Sequence, residues 1–181
     1  DQHSICAIGK EVQKNSIIIN GVSKSYAMTG WRIGYLAGNE EIIKQATKLQ
    51  GQSTSNPTSI SQIASITALE DADSDVKLMV GEFQERRDTL LKGLLNIPSV
   101  TCYKPVGSFY AFPDFSAFYG KTFKDKRVSG STQMANFLLE NGNVALVPGI
   151  AFGADKNLRM AFASSMDKIQ EGVERITKTL G

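Results

Sequence analysis

Lys24 and Arg32 stand eight positions apart, among small residues: Gly21, Ser23, Ser25 and Gly30. Hydroxyls and bare backbone N–H groups beside an arginine suit a phosphate, which a guanidinium can grip with two parallel hydrogen bonds. A lysine set between strand ends in a semi-buried site loses its proton more readily, which suits Schiff-base chemistry. On spacing alone the pair can equally be two solvated loop charges, which usually do little. Arg159 is the third candidate. It interrupts the apolar run Leu158, Met160, Ala161 and Phe162, where a charge is costly unless something pairs with it. The alternative is an edge-strand arginine whose stem lies on the protein while its head reaches water.

The rest of the composition narrows the chemistry. The chain has 181 residues and a single histidine, His3, so a histidine base or histidine-ligated metal is not expected. Cys6 and Cys102 are far apart and form no metal-binding or redox pair, and they fit a reducing compartment. With 20 basic and 18 acidic residues the net charge is +2, too little to hold nucleic acid or an acidic membrane by bulk charge. Lys121 to Arg127 is a basic loop without the aromatic platform that nucleic-acid binding needs. No apolar run reaches the ~18 residues of a membrane span, and no secretory leader is visible. No nucleic acid, membrane or metal partner is expected.

Elements that would position these side chains alternate along the chain. Ser16 to Asn20 is β-branched and reads as a strand ending at Asn20-Gly21, and Ile33 to Gly38 reads as a second. Asn39 is placed to cap a helix over residues 40–50, followed by a loop from Gly51 to Pro57. The next helix would carry Ile60, Ile63, Ala64 and Thr67 on one face. The acidic, turn-prone cluster from Asp71 to Asp75 suggests a boundary, and a long amphipathic helix over about 75–96 should follow it. Val100–Lys104 and Ser108–Phe112 read as paired strands, with a helix near 131–140 stopped at Asn141-Gly142. Val144–Val147 and Leu158–Phe162 are further strands, and a last helix carries Ile169, Val173, Ile176 and Leu180. This alternation predicts a layered α/β fold.

The run Ser23-Lys-Ser-Tyr-Ala-Met-Thr-Gly-Trp-Arg-Ile-Gly-Tyr35 closely resembles the pyridoxal-phosphate lysine segment of class I aminotransferases, above all the bacterial aspartate aminotransferase branch. Gln52-Ser-Thr-Ser-Asn-Pro-Thr-Ser-Ile-Ser-Gln62 is similar to that branch's loop and following helix. Pro105-Val-Gly-Ser-Phe-Tyr110, Val147-Pro-Gly-Ile-Ala-Phe-Gly153 and Leu158-Arg-Met-Ala-Phe-Ala163 resemble its small-domain motifs, in the same order.

This resemblance implies that Lys24 attaches pyridoxal phosphate through its amine and then carries the proton from the substrate α-carbon. The cofactor ring serves as electron sink. Arg32 and Ser23 are implied as ligands of the cofactor phosphate, although many members carry a hydroxyl where this chain has Gly21. Arg159 is implied to fork onto the substrate α-carboxylate. Asn56 and its neighbours are implied to face a partner subunit's cofactor. Implied partners are an amino acid and a 2-oxo acid, with a cytoplasmic homodimer for the full-length protein.

By the same resemblance the chain starts after the family's ring-nitrogen aspartate and its companion tyrosine. The expected fold is therefore the C-terminal segment of the fold-type I large domain (residues 1–72) plus the α/β small domain (73–181). Such a piece should be inactive alone and should leave strand edges exposed in its first segment. The competing expectations are a β-lyase-type pyridoxal enzyme, and a non-catalytic isolated or pyridoxal-sensing domain.

Overall fold

A computed structural model describes residues 3–181. The chain divides into two compact units, one ending at Leu78 and the other beginning at Met79.

In the first unit a short helix, α1 (Lys10–Lys14), precedes strand β1 (Ile18–Gly21), which pairs antiparallel with β2 (Gly34–Ala37) from Ile18↔Ala37 to Gly21↔Gly34. The β-branched run therefore forms a strand as its composition demands, and Asn20-Gly21 ends it. Gly21 is required by a close approach. A Cβ there would stand 2.8 Å from the carbonyl oxygen of Ile33.

Helix α2 (Glu40–Ser53) starts as expected: the side-chain oxygen of Asn39 accepts the Glu41 N–H at 2.9 Å. Glu40 and Glu41 in its first turn complement the helix dipole. Its end differs from the sequence reading. The helix continues through Gly51, Gln52 and Ser53, and the Thr54 N–H donates to the Gln50 carbonyl at 2.9 Å. A glycine costs a helix only about 1 kcal/mol, less than the continuing hydrogen bonds recover, so Gly51 does not stop it.

Helix α3 (Ser59–Asp71) lies where expected. Ser65 and Ala68 are its buried residues, while Ile60 and Ile63 are 73% and 64% exposed. Isoleucine periodicity marks an apolar face, and this unit has no core to receive it. Among the described residues of the unit only Val22 and Ala68 are buried apolar side chains, and Ile17, Ile19 and Leu36 on β1 and β2 or beside them are exposed.

Helix α4 (Asp73–Leu95) carries Leu90, Leu91 and Leu94 into the second unit's core. That unit is built on the sheet β3 (Tyr110–Ala111), β7 (Leu158–Ala161) and β6 (Val147–Pro148), in the order β3-β7-β6 and antiparallel throughout. Pro148 is tolerated because β6 is an edge. A two-stranded hairpin, β4 (Thr122–Phe123) with β5 (Lys126–Arg127), occupies the basic stretch read as a loop. Helices α5 (Ser131–Gly142) and α6 (Met166–Leu180) complete the unit. Leu94, Phe115, Met134, Leu138, Leu158, Phe162 and Ile176 are all essentially removed from water in one continuous core.

Three strand and cap expectations are corrected here. Residues 100–104 form no strand with β3; their only bridge is Thr101↔Asp114, and β3 pairs with β7 instead. The strand expected over 144–147 is Val147–Pro148. The left-handed stop after α5 is Asn143, at φ 51°, while Gly142 is still helical. Gly142 is small for packing reasons: a Cβ would meet the Thr179 hydroxyl of α6 at 2.8 Å.

Candidate active site

Residues 22–33 connect β1 to β2 and hold three of the four sequence candidates. Val22, wholly buried, anchors the connection. The N–H of Tyr26 donates to the Val22 carbonyl at 3.3 Å, and that of Ala27 to the Lys24 carbonyl at 3.2 Å. Ser23 is half-buried within this double turn, and Lys24 at its crest is exposed. Lys24 is thus exposed rather than semi-buried, as in the alternative of a solvated loop charge.

Two residues of the connection are strained. Ala27 and Arg32 adopt φ of 54° and 56°, a left-handed conformation that costs a non-glycine residue roughly 1–2 kcal/mol. Such strain concentrates at ligand clamps and active sites. At Arg32 it ends a 3-10 turn over Thr29–Trp31, and Arg32 Nη1 donates to the Thr29 carbonyl at 2.9 Å. That bond fixes one edge of the guanidinium. No ion pair of the described residues involves Arg32.

Arg32 also lines an open cleft of about 390 Å³ with Gln50, Thr54, Asn56, Thr58 and Ser61. One cation among hydroxyls and amides, with no carboxylate, is a donor set for an anion. Lys24 and Ser23 are not among the residues lining this cleft. Asn56, which the resemblance implies faces a partner subunit's cofactor, lines this cleft together with Arg32. The hydroxyl-rich run 53–62 was the available signal.

Arg159 belongs to the second unit. Along β7, Leu158 and Met160 point into the core while Arg159 is half-buried on the other face. Tyr110 pairs with Ala161, so it lies diagonal to Arg159 on that face. The guanidinium carbon stands over the Tyr110 ring, 4.3 Å from its centroid, and over the Phe152 ring at 4.7 Å. Phe112 meets Phe152 edge to face at 6.0 Å. Arg159 makes no ion pair among the described residues. Its charge is therefore met by ring faces, a favourable contact that does not occupy the N–H donors as a carboxylate would. Tyr110 and Phe152 lie far apart in sequence. Only strand register and the turn after β6 bring them to Arg159.

That turn, Gly149–Phe152, is pinned from α5. Ser131 is wholly buried. Its hydroxyl donates to Asp155 Oδ1 at 2.7 Å and accepts the Ile150 N–H at 3.1 Å. Donation from the Ser131 hydroxyl, and next from its backbone N–H, holds the Asp155 carboxyl below the usual aspartate range. The Tyr119 hydroxyl donates to the Asp155 backbone carbonyl at 2.7 Å. Burial first, then the charges of Asp155 and Asp114, pushes that phenol up to about 12.

Residues 3–176 match the family model for aminotransferases of class I and II. The chain belongs to the class I and II aminotransferases. Its sequence is 43% identical over 176 residues to the aspartate aminotransferase of Bacillus subtilis, covering 97% of this chain and 44% of that protein. It is 41% identical over 180 residues to a probable aspartate/prephenate aminotransferase of Rickettsia felis, covering 99% of this chain and 44% of the relative. The crystal structure of the aspartate aminotransferase from Rhizobium meliloti superimposes with a TM-score of 0.90 at 41% identity, over 93% of this chain and 42% of that one. This aminotransferase chain therefore has the α/β fold of aspartate aminotransferases and spans about 44% of the length of the relatives it matches. Among its described residues no group of three or more His, Cys, Asp or Glu side chains is placed to hold a metal, and no helix is long and apolar enough to cross a membrane.

Proposed function

We propose that this chain is part of a pyridoxal-phosphate-dependent transaminase of the aspartate aminotransferase type, which passes an amino group from an amino acid to a 2-oxo acid. The observation that carries the reading is the β1–β2 connection. It carries the exposed Lys24 and, at Arg32, a guanidinium without a carboxylate partner among the described residues.

The donor set there fits the cofactor: a primary amine for its aldehyde, and a hydroxyl and a guanidinium for its phosphate. Lys24 Nζ would hold the aldehyde carbon, and Ser23 Oγ and Arg32 would hold the phosphate, Arg32 by a fork that lysine cannot reproduce. When bound, pyridoxal phosphate supplies an electron sink for the carbanion formed at the substrate α-carbon. Once the substrate's amino group has displaced it from the aldehyde carbon, Lys24 Nζ would take the proton from the substrate α-carbon and deliver it to that former aldehyde carbon. Arg159 binds and orients the substrate α-carboxylate.

Residues 1–72 are assigned to the large cofactor domain and residues 73–181 to the small domain. The exposed apolar side chains of the first unit, Ile19, Ile60 and Ile63 among them, suit a surface covered in a larger assembly, and we assign the whole protein as a homodimer. Cys6 and Cys102, both free thiols, suit the cytoplasm. In the whole protein Lys24→Ala should abolish transamination of an amino acid with a 2-oxo acid. Turnover at the wild-type rate in that variant would remove the reading.

A further inference from the structure

We propose that Tyr110 and Phe152 are positioning residues that hold the Arg159 guanidinium ready for a substrate carboxylate, an inference that rests on the reading of Arg159 given above. An arginine side chain has several rotatable bonds, and ordering it on binding costs affinity unless the protein has already done so. Here the ordering is built in. The guanidinium carbon lies 4.3 Å from one ring centroid and 4.7 Å from the other. The cation lies against both rings and so joins them. Tyr110 comes from β3 and Phe152 from the turn after β6, the two strands that flank β7 on either side. Arg159 is thus held from both neighbours of its own strand.

Each ring is itself fixed. Tyr110 is in register on the sheet opposite Ala161. Phe152 packs edge to face on Phe112, and its turn is tied down through the Ile150 N–H on Ser131. Ring faces attract the cation without taking up its N–H donors, so the clamp orders Arg159 without competing with a carboxylate. Phe152 is 49% exposed, more than core packing alone would call for.

The test measures the affinity of succinate, a dicarboxylate without an amino group, for the cofactor-loaded whole protein by calorimetry. Phe152→Leu and Tyr110→Leu should each weaken succinate roughly ten-fold and raise KM for the amino acid while kcat changes little. Phe152→Tyr and Tyr110→Phe keep a ring and should bind within about two-fold of wild type. If both leucine variants bind as wild type while Arg159→Leu does not, the clamp is wrong and Arg159 keeps its role. If Arg159→Leu also binds as wild type, the role of Arg159 fails and the clamp fails with it. A measurement on the unaltered protein guards against variants that do not fold. The Arg159 side-chain N–H resonances should be shifted by the ring currents and protected from exchange; unshifted, rapidly exchanging resonances would overturn the proposal.

Discussion

The hydroxyl of Ser131 donates to Asp155 Oδ1 at 2.7 Å, and the backbone N–H of the same serine donates to the same oxygen at 3.0 Å. One serine at the start of α5 thus ties down the segment that follows the Phe152 turn. The approach is so close that a Cβ on the preceding Gly130 would stand 2.8 Å from Asp155 Oδ2.

This pairing has a pH signature. The Asp155 carboxyl titrates below its ordinary range in the folded chain. Its contribution to stability is therefore present above the unfolded-state pKa and is lost as pH falls through the depressed folded value. Ser131→Ala removes the larger donor. The stability gap between wild type and variant should be widest at neutral pH and should narrow as pH drops below about 4. Denaturant unfolding at several pH values measures it, and a gap that stays constant down to pH 2 would contradict the assignment.

Gly149 should be irreplaceable. A Cβ there would lie 2.2 Å from the carbonyl oxygens of both Ala154 and Asn157, and neither is a flexible side-chain end that can swing away. Gly149→Ala should destabilise the protein by on the order of 3 kcal/mol, read from the denaturation midpoint.

The two units should respond very differently to substitution. Leu94 is wholly buried in the continuous core, and Leu94→Ala should cost about 2–5 kcal/mol. Ile63 is 64% exposed on α3, and Ile63→Asp in this chain should change stability by about 0.5 kcal/mol or less. Equal losses from both, measured by denaturant unfolding, would mean that α3 packs its isoleucine face after all.

That contrast shows what could be read from the sequence. Local signals sufficed where they are physically local: Asn39 caps its helix, Ile18 and Ile19 of the β-branched run open a strand, and Ile169 and Ile176 bury one face of α6. Signals failed where the partner decides. The isoleucines of α3 announce an apolar face but not what covers it. Likewise, nothing in residues 100–104 reveals that β3 pairs with β7 some fifty positions away. Lys24, Ser23 and Arg32 stand out in the sequence because they share one short connection. The meeting of Tyr110 and Phe152 with Arg159 does not stand out, since it depends on strand register.

Arg32 should not tolerate lysine. Its Nη1 is already committed to the Thr29 carbonyl, and the remaining donors form the fork that a phosphate needs. Arg32→Lys in the whole protein should raise the dissociation constant for pyridoxal phosphate by roughly ten-fold or more, followed by the cofactor's absorbance. Unchanged retention would place the phosphate elsewhere.

The most direct measurement is to treat the whole protein with pyridoxal phosphate, reduce it with borohydride and map the modified peptides. Lys24 should carry the label in nearly stoichiometric amount, on a single peptide spanning the β1–β2 connection. A label scattered over surface lysines, with Lys24 no more modified than the rest, would contradict the account.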